Sequence, residues 1–452
     1  MTRTGRARLT TDATAPLEGL RRASRSVRQL AAPRGAHREV RAAIAALRQQ
    51  QHDEFASRIR RCVLGLRSDR PMATLLRTAA DHARGAIDHA EATERVRTAA
   101  SELPEGHFAP RPLMAAETFV RATGLFVASL PFRPLIHAAL ARRASDTGRA
   151  DDVVRASVAA VHAGDRDRAE GTVARLAPAA AEHDAAAVTV ARYLDVWAGR
   201  PAAPVPAPTR AAHEVADRRF AGRIGEGPVL VYGPGPTTSL PPLHGLPSDE
   251  LRVIRILMPE VYAWDSPQDL VAGRSDVAYL NHEAQLWLSD LPEERRRDIA
   301  GRFSVLVAKK SADLLVGVDH PGLRVAWSAA PLFLTGSENT VPAILFDLLA
   351  LTDVPVGVVG TTFFASDTSY RPDNRRFQFY EGVKVDGQGR TGLVLERCTM
   401  LASHNALENR TLVANLVAAG RVTGDAEFTE AVSLTDEAYL ERLDRLYGAP
   451  LL

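Results

Sequence analysis

From residue 227 onward the apolar residues of this chain arrive in short runs separated by helical stretches, and that alternation restricts the fold more than any other feature. Residues 227–232 (GPVLVY), 252–258 (RVIRILM), 277–280 (VAYL), 303–307 (FSVLV) and 354–359 (VPVGVV) have the length and branched content of buried strands. Residues 292–301 and 340–351 between them carry helical patterns. Strands alternating with helices predict an α/β domain built on a mostly parallel sheet. In such sheets ligands gather outside the carboxyl ends of the strands, so the loops after the strands are where chemistry is expected.

The preceding part reads as helical. Val40, Ile44, Leu47, Phe55, Ile59 and Val63 approach the spacing of one helix face, and Leu75, Ala79, Ala83 and Ile87 continue it. Patterns over 151–163, 166–176 and 184–198, broken at Gly164-Asp165 and Pro178, suggest helical hairpins stacked as repeats. The Pro/Ala stretch at 200–210 (RPAAPVPAPTR) favours an extended spacer. The expected organisation is an all-α, repeat-like domain over 1–200, a linker over 201–212 and the α/β domain over 213–452.

Charge supports the division. Residues 1–200 hold 32 arginines, no lysine and 22 acidic residues, a net +10, and the remainder carries −8; the overall +2 of the 452-residue chain conceals this split. The cluster Arg21, Arg22, Arg25 and Arg28 is followed closely by acidic residues, so a solvated helix face explains it better than a nucleic-acid surface. Two cysteines, Cys62 and Cys398, exclude a disulfide framework, and no Cys/His spacing suits zinc. No signal peptide is evident at the start, and the most apolar long stretch, 119–141, is interrupted by Arg121, Pro131, Arg133, Pro134 and His137. A cytoplasmic protein without a membrane span is expected, with peripheral contact at the inner membrane face still compatible.

Four segments have the residue types of a site. The turn 233–239 (GPGPTTS) follows the first strand; it suits either a structural turn or a phosphate cradle, and it is neither a P-loop nor a dinucleotide fingerprint. A nicotinamide or methyl-donor site is disfavoured, because no acidic ribose partner follows about 20 residues on. The loop 335–340 (TGSENT) precedes an apolar helix, where Ser337 or Asn339 serves as an ordinary cap or the helix start receives an anion. Residues 403–408 (SHNALE) open another helix: His404 is either a general base held by Glu408, or Ser403 or Asn405 is simply a cap. Residues 375–382 (RRFQFYEG) are either a stacking and phosphate-binding segment or a half-buried edge strand.

Taken in order, these segments resemble the sialyltransferase superfamily of CMP-sugar-dependent transferases. VLVYGPGP with RVIRIL and AGRSDVAYLN is similar to the family's large motif, and GSENTVPAILFDLLALTDVPVGVVGTTFF to its small motif. Gln378-Phe379-Tyr380-Glu381 corresponds to the third motif, and HNALENRTLVANL to the last. The resemblance covers about residues 228–420. Pro234, Leu257 and Gln378 stand where the family carries asparagine, asparagine and histidine, and the final His-to-Glu interval is one residue shorter.

What the resemblance implies is a Rossmann-like glycosyltransferase domain, the sialyltransferase-type variant of the GT-A fold. It would move a sialic-acid-like or other ulosonic sugar from a CMP donor to a glycan or cell-surface polysaccharide, inverting the anomeric carbon, with no metal or further cofactor. His404 would be the general base, with Glu408 beside it. Gly233, Gly235, Thr237 and Asn281 would line the nucleotide, Ser337 and Thr340 would hold the phosphate or the donor carboxylate, and Gln378 and Tyr380 would meet the leaving phosphate. The alternatives are a carbohydrate- or partner-binding module of the same fold without turnover, and a scaffold whose helical region grips an anionic partner.

Overall fold

The structure, a computed structural model, describes residues 70–176, 184–202, 207–235, 237, 251–257, 275–309, 312–366, 401 and 404–449. The pattern over 39–66, the arginine cluster at 21–28, both cysteines, and Gln378 and Tyr380 lie outside the described residues.

The amino-terminal part is helical, as its periodicity predicts: α1 (Arg70–Ala83), α2 (His89–Ser101), α3 (Pro110–Ala122), α4 (Phe132–Thr147), α5 (Ala150–His162), α6 (Arg166–Val173), α7 (Ala185–Trp197) and α8 (Ala207–Ile224). Local chemistry sets the ends. Asp88, Asp165 and Asp184 accept the first free amides of α2, α6 and α7. Gly148, at φ 60°, closes α4 in the left-handed conformation that suits glycine. Consecutive helices α4, α5 and α6 pack on one another, and α7 lies against both α5 and α6.

Among the described residues seven strands form one sheet: β1 (Val229–Tyr232), β2 (Arg252–Leu257), β3 (Val277–Leu280), β4 (Val305–Ala308), β5 (Leu323–Val325), β6 (Val356–Val359) and β7 (Val422–Gly424). Their order is β5-β4-β3-β2-β1-β6-β7 and every pairing is parallel. The chain steps outward from β1 to β5, then returns to lay β6 on the other side of β1. The strand order therefore reverses between β1 and β6, the switch point of an open parallel sheet. Helices α9 (His282–Asp290), α10 (Glu293–Gly301), α11 (Thr340–Leu349), α12 (Ala406–Ala418), α13 (Ala426–Ser433) and α14 (Asp436–Tyr447) accompany the strands among the described residues.

Alternating residues of the buried strands serve opposite faces. Ala278 and Leu280 of β3 and Leu306 of β4 pack with Ala284 and Leu288 of α9 and Ile299 of α10. On the other face Val229, Val231, Val277, Tyr279, Val356 and Val358 belong to the same cluster as Phe119, Phe126, Tyr193 and Trp197 of the helical part. Helices and sheet thus share a core. Polar ties cross the junction: Arg192 donates to the Ala350 carbonyl (2.8 Å), Tyr193 to that of Leu412 (2.8 Å) and Asn415 to that of Val161 (3.1 Å). Burial pushes His162 down to about 3, so its ring is neutral and Nε2–H serves the Leu332 carbonyl at 2.7 Å.

One expectation is corrected here. Residues 207–212 of the expected linker are helix, the start of α8, because a proline in a helix's first turn costs no hydrogen bond there and the residues around it favour helix. The helical region also shares its core with the α/β part. Its helices α5 and α7 pack against α11 and α12 of the α/β part.

Candidate functional site

In a parallel sheet the helices run back against the strands, so their amino termini return to the carboxyl edge. The starts of α9, α11, α12 and α13 all lie there, together with the turns after β1 and β6. Every sequence-predicted site residue within the described part falls on this edge: Gly233, Gly235 and Thr237 after β1, Asn281 after β3, Ser337 and Thr340 before and at the start of α11, and His404 and Glu408 around the start of α12.

Two of them meet. Nδ1 of His404 lies 3.1 Å from Ser337 Oγ and 3.3 Å from the Ser337 carbonyl, although 67 residues separate the pair. Both are half-buried. A proton on Nδ1 facing that carbonyl leaves the basic lone pair of the imidazole on Nε2. Thr340 is the first residue of α11, two residues beyond the buried Glu338.

Glu408 does not stand beside the imidazole as a carboxylate partner. Its side chain is buried and accepts the amides of Leu334 (3.0 Å) and Thr335 (3.1 Å) and the Thr335 hydroxyl (2.9 Å), so it fastens the loop that carries Ser337. Burial, with the nearby Glu117 charge adding to it, pushes its carboxyl up to about 7, against the opposing pull of Arg121 and Thr335. Asn405 caps α12 by accepting the Glu408 amide, and its own amide donates to Thr335 Oγ1 at 2.7 Å. Asn409 receives the Asn339 amide (2.6 Å) and donates to the Ser337 carbonyl (3.2 Å). Asn339, which occupies the cap position of α11, makes no side-chain cap bond of its own. The 334–339 loop is therefore laced to the first turn of α12 at four successive points.

The glycine turn has a different set of partners. The Gly233 amide donates to Val359 O and the Gly235 amide to Gly360 O, both at 2.8 Å, so these two amides are engaged by the end of β6 and do not offer themselves to a nucleotide. A Cβ on Gly233 would lie 2.4 Å from Gly360 O and from Thr361 Oγ1, and one on Gly235 2.7 Å from Gly360 O. The glycines let the ends of β1 and β6 interlock at the switch point. Asp425, capping α13, also accepts the Gly360 amide at 2.8 Å and bonds the Thr237 hydroxyl; burial raises its carboxyl above the usual range. Just beyond, Phe363 (φ 50°) and Phe364 (φ 68°) form a turn closed by Ala365 N to Thr362 O. Two bulky left-handed residues in succession cost roughly 1–2 kcal/mol each. The hydroxyls of Tyr439 and Tyr447 hold their carbonyls in place.

Asn281 caps α9 through Ala284 N at 2.9 Å. Sequence reasoning missed Lys309. It follows β4, is buried, and donates from Nζ to the Glu338 carbonyl at 2.6 Å, placing a positive charge beside the Ser337 loop. The signal was available, since the chain has only three lysines and this one stands directly after a strand.

Among the described residues no group of three or more His, Cys, Asp or Glu is arranged to hold a metal, and no helix is long and apolar enough to cross a membrane. No family model, curated protein or solved structure matches the chain.

Proposed function

We propose that this chain is a glycosyltransferase that moves a sialic-acid-like or related ulosonic sugar from a CMP ester to a glycan hydroxyl. The observation that carries this reading is the contact between His404 and Ser337 at the carboxyl edge of a parallel sheet. The motif resemblance assigns those same two residues to the base and to the donor-holding serine.

In this mechanism His404 Nε2 takes the acceptor proton as the acceptor oxygen attacks the anomeric carbon in line, inverting it. The leaving phosphate is an anion departing from an oxocarbenium-like centre, so preorganised donors are needed where its charge develops. Ser337 Oγ, Thr340 and the first amides of α11 supply them, and the buried Lys309 charge biases the edge in the same sense. Glu408 keeps the serine loop in register and transfers no proton to substrate.

Calorimetry with CMP, UMP, GMP and AMP tests the class; the expected outcome is selective binding of CMP, and equal or absent binding rejects it. Incubation with CMP-sugars should release CMP, and His404→Ala should lower that turnover by roughly 10²-fold or more while CMP binding is kept. A turnover within a few-fold of the parent would make His404 a structural residue. The internal engagement of both glycine amides favours one second reading, a sugar- or partner-binding module without turnover. CMP binding with no CMP release from any CMP-sugar would select it.

A further inference from the structure

The two segments that carry Ser337 and His404 share one buried anchor from the helical region. Arg121, near the end of α3, is 2% exposed. Its Nη1 donates to the Leu401 carbonyl at 2.7 Å, three residues before His404, and its Nη2 reaches Thr335 Oγ1 at 3.4 Å, two residues before Ser337. Glu117, one turn earlier on α3, holds the guanidinium through Nε (2.5 Å) and Nη2 (3.2 Å). The Thr335 hydroxyl is fully used: it accepts from Arg121 and Asn405 and donates to Glu408.

We propose that Arg121 is a positioning residue for the Ser337–His404 pair, so that the helical region completes the site. A planar guanidinium with a fixed fork of donors sets the relative placement of two loops in a way a flexible ammonium does not. A buried ion pair adds little stability compared with a well-packed apolar set of the same volume, so fixing geometry is the effect this pair is suited to. A shift of about 1 Å at a reacting pair costs up to about 10²-fold in rate. The inference rests on reading Ser337 and His404 as a working pair.

The test follows the His404 imidazole itself, through the pH titration of its C2–H resonance in the full-length chain, assigned by its loss in His404→Gln. Arg121→Gln removes the anchor. Arg121→Lys keeps the buried positive charge and loses the planar fork, and it decides if Arg121→Gln does not fold. The expected result is a variant that stays folded, with the His404 midpoint displaced by about half a pH unit or more, a threefold change in its protonation equilibrium, and CMP affinity reduced about tenfold. A folded variant whose His404 midpoint lies within a tenth or so of the parent overturns the proposal. If the parent chain does not bind CMP, the transferase reading fails, while the imidazole titration still decides whether Arg121 sets the pair.

Discussion

Glu408 shows how much a single residue's role depends on what its side chain reaches. It is the third residue of α12, where a glutamate usually turns back to its own cap; here it crosses to a loop 73 residues earlier. Three donors favour its ionised form, but burial and Glu117 outweigh them and hold the carboxyl near 7, above the 4.5 of an exposed glutamate. A raised acid pKa means that the folded chain keeps a proton which the unfolded chain releases. Stability from this group is complete below about 4.5 and is lost as pH rises through about 7, a change on the order of 3 kcal/mol. Glu408→Gln imitates the protonated form. Melting curves of parent and variant between about pH 5 and pH 8 should show the variant gaining on the parent as pH rises. A constant difference would mean that Glu408 is ionised throughout.

Among elements, the junction of β1 and β6 tolerates little change. Gly233, Gly235 and Gly360 approach each other backbone to backbone, closer than any Cβ allows. Gly233→Ala should cost about 1–3 kcal/mol through overpacking, read as a lower denaturant midpoint with an unchanged slope. An unaltered midpoint would mean that the turn has room to yield. The glycine turn was visible in the sequence, whereas its partner was not, because Gly360 follows a strand more than a hundred residues later. The edge strands β5 and β7 escaped for another reason: three residues each are too few for any periodic pattern. The buried strands and the helix at 340–349 were readable because their apolar residues fill whole elements.

For the molecule as a whole, the split of charge marks two halves of one body. Arg133 of α4 pairs with Asp436 of α14 at 2.5 Å, and the amides of Phe126 and Val127 donate to the Asp444 carboxylate of the same helix. A chain truncated to begin at residue 213 would expose the surfaces of α11 and α12 against which α5 and α7 pack. The expected outcome is an aggregating or molten product that binds a hydrophobic dye and lacks a cooperative melt; a soluble fragment with a sharp melt would show that the sheet region stands alone.

Hydrophobic period and turn chemistry, which are properties of neighbours along the chain, sufficed for the class of each half and the positions of the long elements. Tertiary structure alone decided that Glu408 holds a loop, that the glycine amides are spent on β6, and that Arg121 reaches both sides of the site. Each of those outcomes depends on which distant backbone the fold brings within about 3 Å, a distance that no local pattern encodes.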